Sequence, residues 1–239
     1  MQATIVRHRF YRVQNVQYSV ERVLRPLPPP PKRKVLLLDF DGVVVNSEYA
    51  NAYVYDRILD YMQKVTGIFD KASVTKLNKE LYTTYGHTLI GLQQMGYVVD
   101  IHDFNQYVYG ESKKNSRLAL TQSETFDMCS LMMQCVAHDF DLMLFSNAHN
   151  DWLTTFVQWN PTLFDLQDNI ITKHGVLKPT KESYTITDKY LRNKSYTDIY
   201  FVDDKSDNIH AAPNTWNKVI FEANTMKLKN IPKMFTYTE

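Results

Sequence analysis

Residues 35–47 read VLLLDFDGVVVNS, four aliphatic residues that run straight into two aspartates one position apart. An unbroken apolar run of that length suits a strand covered on both faces, as in a parallel sheet with helices on each side. Charge inside such a strand would be costly to bury, so Asp39 and Asp41 belong at its carboxyl end. In open α/β sheets that edge is where ligands bind.

Further along, residues 142–145 (LMLF), 170–171 (II), 199–202 (IYFV) and 219–221 (VIF) are short β-prone runs separated by helix-like segments. This alternation predicts an α/β fold with a doubly wound, Rossmann-like parallel sheet. Between the first two runs the periodicity is helical. Tyr53, Val54, Ile58, Tyr61, Met62 and Val65 share one stripe, Val74, Leu77 and Leu81 a second, and Leu89, Leu92 and Met95 a third. Gly67, Gly86, Gly96 and Gly110 mark ends or turns. Thr121 and Glu124 have capping-box spacing, and Phe126, Cys129, Met133 and Val136 behind them are expected to form a buried helix face. The predicted organisation is a core of residues 34–47 and 136–239, a helical insertion over 48–135, and a basic arm with a proline spacer over 1–33.

Each β-prone run delivers polar residues at its carboxyl end. The second leads into Ser146-Asn147, and residues 199–202 lead into Asp203-Asp204, with Asp207 and Asn208 just beyond. Between them lies Lys178, whose backbone the following Pro179 restricts. Several carboxylates gathered on one sheet edge repel each other without a cation. A hard divalent ion with oxygen ligands, Mg²⁺, would relieve that repulsion and bind a phosphate.

Asp39-Phe40-Asp41-Gly42, Ser146, Lys178 and residues 202–208 (VDDKSDN) resemble the four ordered motifs of the haloacid dehalogenase-like (HAD) hydrolase superfamily. The resemblance runs over roughly residues 34–222. It implies a Mg²⁺-dependent phosphatase in which Asp39 is the nucleophile, forming an aspartyl-phosphate, and Asp41 is the general acid and then the base. Ser146, Asn147 and Lys178 would hold the phosphoryl oxygens, and Asp39, Asp41, Asp203, Asp204 and Asp207 would provide the metal shell. Superfamily members that release halide lack an acid at the position of Asp41, so its presence favours a phosphatase.

The same resemblance makes the insertion a cap that closes over the site and chooses the leaving group. Residues 81–92 (LYTTYGHTLIGL) are similar to a stretch in the caps of pyrimidine 5′-nucleotidase-like members, which makes a nucleoside 5′-monophosphate the leading substrate. A helix start with two glycines admitting close packing accounts for the same residues without that substrate. Two departures stand out: Lys205 where those relatives usually have serine, and residues 214–217 (NTWN) where they often carry Gly-Met. A phosphotransferase or sugar-phosphate mutase of the same fold is the alternative, and a non-enzymatic interaction module a more distant one.

With 44% hydrophobic and 22% charged residues over 239 positions, the chain can bury a sizeable core. Its net charge of +1 is unevenly spread: residues 1–34 carry eight Lys/Arg against the single acid Glu21, which leaves the body acidic. An acidic body argues against a nucleic-acid polymer as partner, despite sixteen tyrosines, and leaves a small phosphorylated metabolite. Cys129 and Cys135 fit neither a disulfide framework nor a zinc site and point to a reducing, cytoplasmic setting. No apolar run approaches the ~20 residues of a membrane span, and no apolar secretory signal opens the chain. In the arm, Val13, Val16, Val20 and Val23 recur at helical spacing before PLPPPP at 26–31, as an organelle-import segment, a docking arm or a leader would. His8, His87, His102, His138, His149, His174 and His210 lack metal-ligand spacing and read as surface or hydrogen-bonded residues. Of these, His149 is close enough behind Ser146 to reach a substrate.

Overall fold

Strand β1 (Arg33–Leu38) lies inside the sheet, and its residues 35–38 are fully buried, as the unbroken apolar run requires. The computed structural model describes residues 33–159 and 176–236. The arm with His8, the Ile170-Ile171 run and His174 lie outside the described residues. β1 pairs in parallel with β2 (Phe140–Leu144) on one side and β3 (Tyr196–Asp203) on the other. β4 (Asn217–Ile220) joins β3, so the described strands form a parallel sheet in the order β2-β1-β3-β4. The register sets Leu38 level with both Leu144 and Val202, so three strands end together.

Helices α1 (Glu48–Thr66), α2 (Lys71–Tyr85), α3 (Thr88–Gln94) and α4 (Ile101–Tyr109) follow β1 where helical periodicity was read. The side chains of Ser47, Asp70 and Asp100 accept backbone N–H groups at three of the helix starts, and Gly67, Gly86 and Gly110 stand at three of the ends. Tyr61 of α1 meets Phe104 and Tyr107 of α4 edge-on at 5.2 and 5.5 Å. Gly91 of α3 packs directly on Leu81 of α2. A turn at Ser112–Lys114 then reaches α6 (Asn150–Trp159), where Ser112 Oγ lies 2.6 Å from Thr155 Oγ1 and Lys113 pairs with Asp151 at 2.7 Å.

α5 (Gln122–Ala137) has both halves of the capping box made by Thr121 and Glu124. Its buried face is not the expected one. Met128, Leu131 and Cys135 point inward, whereas Phe126, Met133 and Val136 are 64%, 65% and 79% exposed and Cys129 is half-buried. Both stripes are apolar at helical spacing, so periodicity could not choose between them; tertiary packing does. Helices α7 (Lys181–Asn193) and α8 (Ser206–Ala211) flank β3, and α9 (Ile231–Thr236) follows a turn at Leu228–Asn230. α5 packs against β2, that turn and α9. Beneath the strand ends, Phe145, Tyr184, Phe201 and Trp216 form a cluster with ring centroids 5.4–6.3 Å apart. Among the described residues, no helix is long and apolar enough to cross a membrane.

Candidate active site

Asp39 follows β1 and Asp203 ends β3, so the level register brings them side by side. The Asp39 N–H donates to Val202 O at 2.9 Å, and Asp39 Oδ1 accepts the Phe40 N–H at 2.7 Å. One oxygen each from Asp39, Asp203 and Asp204 lies within 4.8 Å of the other two. Against them stands Lys178, 1% exposed, with Nζ 2.5 Å from Asp203 Oδ2 and 3.3 Å from Asp39 Oδ1. Its ammonium also lies over the rings of Phe145 and Phe201, at 5.3 and 5.4 Å. Asn147 explains how Lys178 comes to be there. Its side-chain oxygen accepts the Lys178 N–H at 2.8 Å and its amide donates to the Lys178 carbonyl at 2.9 Å. Asp203 is held in the same manner, accepting the Asn208 amide at 3.0 Å on both oxygens and the Lys205 N–H at 2.8 Å.

Burial pushes the Asp39 carboxyl well above its usual range; Lys178 and a hydrogen bond from Ser146 draw it back, while Asp203 pushes it further. Asp41 is raised to about 6, again by burial first, against the pull of a hydrogen bond from Trp152. Burial alone would lower Lys178, but Asp39 and Asp203 reverse that and hold its ammonium firmly charged. Gly42, at φ +81°, closes the loop that carries the first two aspartates. A Cβ there would lie 2.5 Å from Asp204 Oδ2, so glycine alone admits that carboxylate. Asp204 Oδ2 pairs with Lys205 at 2.8 Å, yet Oδ1 is buried with no donor among the described residues. An orphaned carboxylate oxygen in an all-oxygen cluster with excess negative charge fits a hard divalent ion such as Mg²⁺.

No protein-family model matches the chain, and no curated protein matches it at a significant level. Solved structures do. A HAD phosphatase from Thermococcus onnurineus superposes with a TM-score of 0.53 at 12% identity, covering 84% of this chain and 97% of that one. The chain has the HAD-like fold. A predicted HAD-like family hydrolase from Porphyromonas gingivalis is also similar, with 14% identity, 87% and 99% coverage and a TM-score of 0.47. An L-2-haloacid dehalogenase from Xanthobacter autotrophicus matches at 14% identity, 87% and 100% coverage and a TM-score of 0.45.

On this HAD-like fold, Asp39, Asp41, Ser146, Asn147 and Asp204 line one cavity of about 460 Å³, with Lys178 and Asp203 buried behind Asp39. Asp207 is not among them. It sits exposed on the first turn of α8, and its neighbour Asn208 is the residue turned toward Asp203. His149 does not line the cavity; its Nδ1 accepts the Asp151 N–H at 3.3 Å. The insertion adds Asn51, Val54, Ile58, Tyr82, His87 and Tyr109 to the walls. His87 caps α3 with Nδ1, and burial lowers its basicity to about 4, so it enters the cavity as a neutral ring. Trp152, which the sequence left unmarked, donates its indole N–H to Asp41 Oδ1 at 2.7 Å. Nothing local in the sequence marks that last contact, since it joins segments far apart in the chain.

Proposed function

We propose that the chain is a Mg²⁺-dependent phosphomonoesterase that works through an aspartyl-phosphate on Asp39. The observation that carries this reading is the gathering of Asp39, Asp203 and Asp204 beside Lys178 at the base of an open cavity that also presents Asp41. Mg²⁺, held by Asp39, Asp203, Asp204 and the Asp41 carbonyl, would screen the cluster and the phosphoryl charge. An oxygen of Asp39 attacks phosphorus as the bond to the leaving oxygen breaks. The leaving oxygen keeps the electron pair and takes a proton from Asp41. Water then attacks phosphorus and gives its proton to Asp41, and the bond to Asp39 breaks, restoring the carboxylate. The balance is ester plus water to alcohol plus phosphate. Ser146 and Lys178, both touching Asp39, orient it and stabilise the oxygens of the transferring group. Asp41 favours this chemistry over dehalogenation, because a departing halide needs no proton.

In this reading the insertion assigned to residues 48–135 is a cap over the site. Its cavity-lining residues all lie on α1, α2 and α4 or beside α3, whereas α5 packs on β2, so we draw the cap as α1–α4 with the turns that follow. Flat rings from Tyr82, His87 and Tyr109, with amides from Asn46 and Asn51, suit a sugar and base, which supports a nucleoside 5′-monophosphate as the substrate. The free thiols of Cys129 and Cys135 support a reducing, cytoplasmic setting.

Phosphate release from nucleoside 5′-monophosphates and sugar phosphates, measured with Mg²⁺ and with EDTA, tests the proposal. The expected result is Mg²⁺-dependent release, fastest from the nucleotides. Absence of release from every ester overturns the proposal. Transfer to a sugar-phosphate acceptor in place of water would make the chain a phosphotransferase or mutase.

A further inference from the structure

The role proposed for Asp41 depends on orientation, because its two oxygens cannot both face the leaving group. Its backbone is fixed: Gly42 N–H donates to Val45 O at 2.7 Å and Val45 N–H to Phe40 O at 2.9 Å. What remains free is the carboxyl group, and Trp152 of α6 takes hold of it through the 2.7 Å bond to Oδ1. An indole N–H is a donor only, so it meets a lone pair and never an acid proton. The carbonyl oxygen of a protonated carboxyl is the stronger acceptor, so an Asp41 held in this way favours its proton on Oδ2.

The indole is itself immobilised. It is fully buried, stacked parallel to Tyr53 of α1 at 6.2 Å, tilted against Tyr109 of α4 at 5.7 Å, and edge-on to Phe156 at 4.9 Å. Phe156 in turn meets Phe40, the residue between the two catalytic aspartates, at 5.3 Å. We infer that Trp152 is a positioning residue that fixes Oδ1 of Asp41 and reserves Oδ2 for the leaving oxygen, with Tyr53 and Tyr109 tying that arrangement to the seat of α1 and α4. The inference rests on the phosphatase reading above.

Leaving groups separate positioning from mere packing. 4-Nitrophenolate departs from phosphorus without a proton, whereas an alkoxide needs one. The test compares kcat/KM for 4-nitrophenyl phosphate with kcat/KM for uridine 5′-monophosphate, or for whichever alkyl phosphate turns over fastest, because hydrolysis of the aspartyl-phosphate is shared by both esters and drops out of kcat/KM. In Trp152→Phe the alkyl-to-nitrophenyl ratio is expected to fall about tenfold to a hundredfold, short of the ~10²–10⁴-fold of a complete loss of general-acid catalysis because Asp41 itself remains, with Mg²⁺ affinity unchanged. Should that variant not fold, 3-benzothienylalanine at position 152, which keeps both fused rings and replaces N–H by sulfur, gives the same reading. An unchanged ratio, whether both rates fall together or neither falls, overturns the inference and leaves the phosphatase reading intact. A wild-type chain inactive on both esters overturns both.

Discussion

The chemistry proposed for this chain is concentrated in a few side chains whose surroundings make their substitutions informative. Asp39→Asn removes the nucleophile and one charge from a crowded cluster while Lys178 keeps its shorter contact to Asp203. Phosphate release is expected to drop at least about a thousandfold with the melting temperature unchanged or raised, as steady-state kinetics and calorimetry would record. Gly42→Ala combines a left-handed backbone with a 2.5 Å collision against Asp204, and a loss of roughly 1–3 kcal/mol in urea unfolding is expected. Asp39, Asp41 and Asp203 were legible in the sequence because each follows an apolar run. Asp207 and Asn208 were not distinguishable, since which of two neighbours turns inward depends on where α8 begins, and that is set by the bonds of Asp203.

At the scale of elements, the strands were readable because burial on both faces leaves a plain signature in residues 35–38 and 199–202. α5 was misread for the opposite reason: with apolar residues on two stripes, its rotation about its own axis is decided by β2 and α9. The corner between α2 and α3 is a tighter constraint. Gly86, at φ +73°, lies where a Cβ would sit 2.7 Å from Pro179 Cδ, next to Lys178. Gly86→Ala is expected to push that corner away from the residues beside Lys178, raising KM and lowering the melting temperature together. A change in neither would show that α2 and α3 do not bear on the site.

For the molecule as a whole, the carboxylate cluster links stability to pH and, with the Mg²⁺ proposed for it, to metal. Asp39 and Asp41 keep protons in the folded state that the unfolded chain gives up near pH 4. Between about pH 4 and about 7 the unfolded chain therefore binds fewer protons, so stability falls as pH rises through that window and stays reduced above it. In EDTA the melting temperature is expected to be lower at about pH 7.5 than at about pH 5, and Mg²⁺ should narrow the gap by binding the folded form alone. Melting curves at the two pH values, with and without the ion, check both expectations. The level ending of β1, β2 and β3 carries a last consequence. A strand slipped by one residue would carry its acid about 3.3 Å along and turn it to the opposite face, dispersing the ligands. Uptake of the proposed ion would thus proofread the threading of the sheet, since a chain paired out of step would have nowhere to put it.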